Sequence, residues 1–96
     1  MTKEQIILEF IENEFGTRML WAIGLKLGEE SGEVLREIIK LEDETFTQIH
    51  LADEVGDVLV VLSQIAAIMD TTLEDLRDRR FKFIMQRADN LHSREP

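Results

Sequence analysis

Two short acidic clusters, each set in an apolar run of helical period, constrain this chain more than any other feature. The first is Glu29-Glu30-Ser31-Gly32-Glu33 and the second Asp53-Glu54-Val55-Gly56-Asp57. Leu25, Leu27, Val34, Leu35, Ile38 and Ile39 flank the first. Ile49, Leu51, Val55, Val58, Leu59, Val61 and Leu62 flank or interleave the second. Residues three apart on an α-helix lie about 60° apart around its axis, so Glu30 with Glu33, and Glu54 with Asp57, each share one helix face. That face borders the apolar stripe that turns inward. Carboxylates are costly to bury unless they are paired or hold a metal. Four to six of them converging in one bundle require cations.

The rest of the chain agrees with an all-α fold. Its 96 residues make one domain, 1–96, with a modest core that burial between subunits would supplement. One Pro, five Gly and no Tyr leave few turn and strand signals, while 44% apolar content argues against disorder. A formal charge of −9 disfavours a nucleic-acid polymer as partner. That charge is either plain surface solubility or an excess that divalent cations neutralise. Cys is absent, which excludes disulfides and thiolate metal sites. The polar start Met1-Thr2-Lys3-Glu4-Gln5 shows no signal peptide, and no apolar run reaches about 18 residues. A soluble cytoplasmic protein with no membrane partner is the expectation.

Local signals divide the chain into four helices. Thr2 with Gln5 three residues on has capping-box spacing, and Gly16 is a C-cap. Thr17 restarts a second helix that runs to about Leu41, before the polar Glu42-Asp43-Glu44-Thr45. A third helix spans about Phe46 to Met69. Asp70-Thr71-Thr72 then forms a turn and N-cap with Asp75 behind it, and the fourth helix frays into the tail Asn90 to Pro96. Gly24, Gly28 and Gly32 recur every four residues in the second helix, and Gly56 lies in the third. A glycine inside a helix costs about 1 kcal/mol against alanine, so something presses on these backbones. Tight helix crossing and room for a ligand beside the carboxylates are the two compatible explanations.

An all-oxygen donor set suits hard cations such as Mg²⁺ or Mn²⁺. Two such ions held close together can polarise a phosphoryl group, activate water and stabilise a leaving oxyanion. A di-iron bundle would need Glu-x-x-His pairs, yet three residues after Glu30 and Glu54 stand Glu33 and Asp57, and His50 and His92 fit no such spacing. Phosphate-loop, Ser/His/Asp and zinc motifs are absent from the sequence.

Glu29-Glu30-x-x-Glu33, twenty intervening residues, then Glu54-x-x-Asp57 resembles the signature of the MazG-like all-α nucleotide pyrophosphohydrolases. The phrases KLGEESGEV and DEVGDVLVVL carry the likeness, which covers roughly Leu25 to Arg87. It implies a four-helix MazG-like bundle completed by oligomerisation as a homodimer or homotetramer. It also implies Mg²⁺-dependent hydrolysis of (deoxy)nucleoside triphosphates to monophosphate and pyrophosphate, in nucleotide-pool house-cleaning. By motif position Glu30, Glu33, Glu54 and Asp57 are the metal ligands, with Mn²⁺ as a possible replacement for Mg²⁺. Glu29 is a support behind those ligands, an extra ligand, or the base that orients the attacking water. Glu29 and Glu30 are thus the catalytic pair. In the last helix Lys82 matches the family's phosphate-binding lysine. The Asn common nearby is replaced by a neighbourhood of Arg79, Arg80 and Phe83, which bears on phosphate contacts and substrate preference.

Lys26 and Trp21 complete the substrate-binding candidates. Lys26, three before Glu29, reaches a phosphate or is an ordinary exposed lysine; Trp21 stacks on a base or packs in the core or an interface. Phe46, Phe81 and Phe83 read as packing residues, and His50 lies one turn before Glu54. Two rivals stand beside the hydrolase. One is a phosphoribosyl-ATP pyrophosphohydrolase, whose aromatic, serine-rich N-terminal phrase and Tyr-His after the second acidic motif do not occur here. The other is a non-catalytic helical module that binds a metal or nucleotide.

Overall fold

A capping box starts the chain's first helix. In the computed structural model, which describes residues 1–40 and 48–93 and the side chains through residue 91, α1 spans Lys3–Phe15. Thr2 Oγ1 accepts the Gln5 backbone N–H at 3.1 Å, and Gln5 Oε1 accepts the Thr2 N–H at 2.9 Å. Two otherwise orphaned donors are satisfied reciprocally. Gly16 ends the helix at φ 83°, a left-handed backbone, and donates to the Glu12 carbonyl at 2.8 Å.

Helix α2 is Leu20–Ile39, three residues later than Thr17 suggests. Its N-cap is Met19, whose side chain caps nothing, while its carbonyl accepts from Ala22 and Ile23. The Thr17 hydroxyl is therefore not the start signal. The helix begins where Ile23 has to reach the core, and Met19 before it is extended. Helix α3 is Gln48–Ile68. The expected breaker Glu42 to Thr45, the helix ending at Leu41 and the start at Phe46 lie outside the described residues.

The α3–α4 corner is a Schellman motif. Thr71 N–H bonds the Ala66 carbonyl at 2.9 Å and Asp70 N–H bonds that of Ala67 at 3.0 Å, with Asp70 at φ 58°. Asp is among the few non-glycine residues that enter this region at modest cost. Helix α4, Leu73–Ser93, then starts on Thr72, whose Oγ1 accepts the Asp75 N–H at 3.1 Å. Glu4 of α1 adds a second cap by accepting the Leu73 N–H at 3.3 Å. The helix continues to Ser93, so the fraying expected from Asn90 is not seen in the described part.

Helix α3 is central, packing on α1 and α2 along its length and on the first turns of α4. It is apolar on nearly every side, which suits a helix wrapped by three others. Ile23, Val61 and Ala66 form the small buried apolar core. From Arg77 to Arg87 α4 is exposed, with Phe81, Phe83, Ile84 and Met85 all open to solvent. The radius of gyration is 17.3 Å, against about 12.5 Å for a compact domain of this length. One chain alone leaves much of its apolar surface uncovered. The glycine stripe fits this picture and corrects the crossing idea. A Cβ built at Gly24, Gly28, Gly32 or Gly56 meets nothing within 4 Å, so no helix of the same chain presses there among the described residues.

Candidate metal centre

Antiparallel packing of α2 on α3 brings the two acidic clusters together. One carboxylate oxygen each from Glu30, Glu54 and Asp57 lie within 4.8 Å of one another. Glu30 and Glu54 are half-buried while Asp57 is exposed, so the cluster opens to solvent on one side. The donor set is oxygen alone, three carboxylates with space for water, which fits a hard divalent cation. Glu33 stands beside this trio rather than within it. Its carboxylate pairs with Arg36 on the same helix and adds negative charge facing Glu54.

The electrostatics agree with an acidic site that lacks sufficient counter-charge. The Glu54 carboxyl is pushed above the ordinary carboxylate range, first by burial and then by Asp57, Glu33, Glu30 and Glu37 in that order. Glu37 is 8% exposed; its Oε1 accepts from Lys40 at 3.0 Å, and its buried Oε2 finds no donor among the described residues. On the other side of the trio Lys26 Nζ stands 3.1 Å from Glu30 and 3.5 Å from Glu29. The Glu30 hydrogen bond, with the charge of Glu29 next, raises the Lys26 ammonium above its ordinary value.

Beside the carboxylates lies a cavity of about 350 Å³. Glu30, Asp57 and Lys26 form one part of its wall; Ile11, Val60 and Val61 give it an apolar lining; Gln64 and the pair Phe15 and Arg18 complete it. The Arg18 guanidinium sits 5.7 Å from the centre of the Phe15 ring. Four of these residues escape a motif-based reading: Ile11, Phe15, Arg18 and Gln64. Two of them leave a trace in the sequence. Arg18 is a lone cation in the break between helices, and Gln64 is a lone amide in an apolar run.

The other sequence candidates occupy different places. Glu29 is largely exposed and reaches Lys26, not the trio. Trp21 is 67% exposed and does not line the cavity, nor does the exposed His50. Arg79, Arg80 and Lys82 are exposed on α4 and do not line the cavity of their own chain. Arg80 instead lies 4.6 Å over the ring of Phe83.

No described helix is long and apolar enough to cross a membrane. No curated protein and no solved structure matches the chain. Residues 21–92 do match the model of the MazG nucleotide pyrophosphohydrolase domain, a span that contains every carboxylate of the site. With three-quarters of the sequence inside that match and both acidic pairs on facing helices, the chain belongs to the MazG nucleotide pyrophosphohydrolase family.

Proposed function

We propose that this protein hydrolyses (deoxy)nucleoside triphosphates to the monophosphate and pyrophosphate with Mg²⁺, clearing unwanted nucleotides from the cytoplasmic pool. The observation that carries this is the convergence of Glu30, Glu54 and Asp57 within a MazG domain. Glu30, Glu54 and Asp57, with Glu33 beside them, would hold the cation or cations, Mn²⁺ serving where Mg²⁺ does. A bound divalent ion supplies charge neutralisation to the phosphates and lowers the pKa of water.

The chain's own groups divide the remaining work. Glu29, solvent-facing and next to the trio, accepts the proton of the attacking water. The water oxygen bonds the α-phosphorus as the bond from that phosphorus to the bridging oxygen breaks, and pyrophosphate leaves. Lys26, paired with Glu30 and already lining the cavity, would turn to the phosphates once a bound cation took up the Glu30 charge. The whole chain, 1–96, serves as one domain.

Assembly as a homodimer or homotetramer completes the unit. Among the described residues the apolar flank of α4 has no cover, and Arg79, Arg80 and Lys82 lie on the same exposed length. A neighbouring copy that covers this flank brings those cations, and Trp21 by its exposure, toward a substrate. The strong acidity keeps nucleic-acid polymers away.

The test is pyrophosphate release from a panel of nucleoside triphosphates and phosphoribosyl-ATP, with Mg²⁺ or EDTA, beside sedimentation of the protein. Turnover that needs Mg²⁺ and vanishes in Glu33→Ala is expected. Release unchanged by EDTA, or equal in the variant, would defeat the proposal.

A further inference from the structure

The cavity beside the carboxylates has two chemically distinct ends. At one end lie Glu30 and Asp57 of the acidic trio with Lys26, which suit phosphates and their cations. At the other, Gln64 projects from α3 among Val60, Val61 and Ile11. Gln64 is seven residues beyond Asp57, about two turns, so both occupy one face of α3 roughly 10 Å apart along its axis. That separation is on the scale of a nucleoside.

Gln64 is 6% exposed, yet its amide is underused. An amide offers two donors and a carbonyl oxygen with two lone pairs. Among the described residues its bonding is a single long contact, Nε2 to the Val60 carbonyl at 3.4 Å. Its neighbour Ser63 is also buried but is satisfied by a 2.7 Å bond to the Leu59 carbonyl. Gln64 lines the cavity, so the remaining donor and acceptor are placed to meet a ligand there, and an amide's side-by-side donor and acceptor match the edge of a nucleobase. Phe15 at the rim, backed by Arg18, offers an exposed ring on which such a base can stack.

We propose that Gln64 is the specificity-determining residue, reading the edge of the nucleobase at the deep end of this cavity while the phosphates lie at the carboxylate end. The inference rests on the hydrolase reading above and adds the position of the base. Sites built to hydrogen-bond a polar substrate group discriminate far better than apolar pockets, because a wrong partner leaves buried groups unpaired.

The experiment compares Gln64→Leu and Gln64→Glu with the parent. It measures kcat and KM for pyrophosphate release from the ribo- and deoxyribonucleoside triphosphates of all four bases, with Mn²⁺ affinity by calorimetry as the metal-site control. In Gln64→Leu the ratio between best and worst base should collapse by about 10- to 100-fold, through KM for the preferred base. Mn²⁺ affinity should stay within about twofold, since Gln64 lies outside the carboxylate trio. Gln64→Glu, which keeps only acceptors, should reorder the bases, and it carries the test if the leucine variant does not fold. Both variants retaining the parent's order and ratio would overturn the inference, as would a parent that treats all four bases alike. A parent that binds Mn²⁺ but releases pyrophosphate from none of them overturns the hydrolase reading instead.

Discussion

Replacing Asp57 with Asn should move stability in opposite directions with and without metal. Asp57 and Glu30 place carboxylate oxygens within 4.8 Å of each other. Two like charges at that distance repel by about 0.9 kcal/mol at the dielectric of water and about 3.5 kcal/mol at an effective value of 20. Asp57 is exposed, so the lower figure is closer, about 1 kcal/mol from Glu30 alone. For a domain of this size each kcal/mol moves the melting temperature by about 4–8 °C. In EDTA, Asp57→Asn should therefore melt higher than the parent by about that amount. A cation at a hundred times its Kd stabilises the native state by about 2.7 kcal/mol, which exceeds the relief of repulsion. In saturating Mg²⁺ the parent should overtake the variant, and turnover in the variant should fall more than about 100-fold, at or beyond the upper end of what loss of an outer-sphere partner costs. Differential scanning fluorimetry at both conditions reads the crossing. A variant that melts lower in EDTA, or gains as much from Mg²⁺ as the parent, would refute a shared carboxylate site.

Four further outcomes follow from the same geometry. The Glu54 carboxyl is raised in the native state, so its protonation favours folding: that contribution is fully present below the ordinary carboxylate value of 4.5 and is lost as pH rises through the raised one. Melting curves in EDTA, taken upward from about pH 4, should show the parent losing stability relative to Glu54→Gln, and parallel curves would contradict this. Mg²⁺ competes with the same proton, so its apparent affinity should weaken as the solution is acidified through that window. Lys26→Ala should raise KM for the triphosphate about 2- to 5-fold with a smaller change in kcat, the size of an exposed ion pair, and an unchanged KM would remove Lys26 from the phosphate path. Gly28→Ala should stabilise the protein by up to about 1 kcal/mol, because its added methyl meets nothing within the chain. Chemical denaturation that shows a loss instead would place another copy against that helix face.

What the sequence reveals here tracks the range over which each signal acts. The capping box at Thr2 and Gln5, the Gly16 stop and the Thr72 cap are local chemistry, and each is found at its expected residue. The pairing of Glu30 with Glu54 and Asp57 is legible too, because two helical faces that both mix carboxylates with apolar residues have few other ways to pack. The start of α2 is not legible. Thr17 has the right side chain for a cap, yet the helix is placed by the burial of Ile23, a tertiary demand. The cavity is less legible still, since Phe15, Arg18, Ile11 and Gln64 come from α1, the link and α3 and share no spacing. The glycines mislead for a related reason: their spacing announces close approach without saying whether the approaching surface belongs to the same chain.

The Glu4 carboxylate that accepts the Leu73 N–H ties the first helix to the base of the last. Beyond that tie α4 behaves as a lever. Lys82 stands nine residues from Leu73, about 14 Å along the axis, so a tilt of about 10° at the corner displaces it by roughly 2 Å. Where the fourth helix's cations end up is thus decided at Asp70 and Glu4, by the angle of a joint, before any of those long side chains chooses a rotamer.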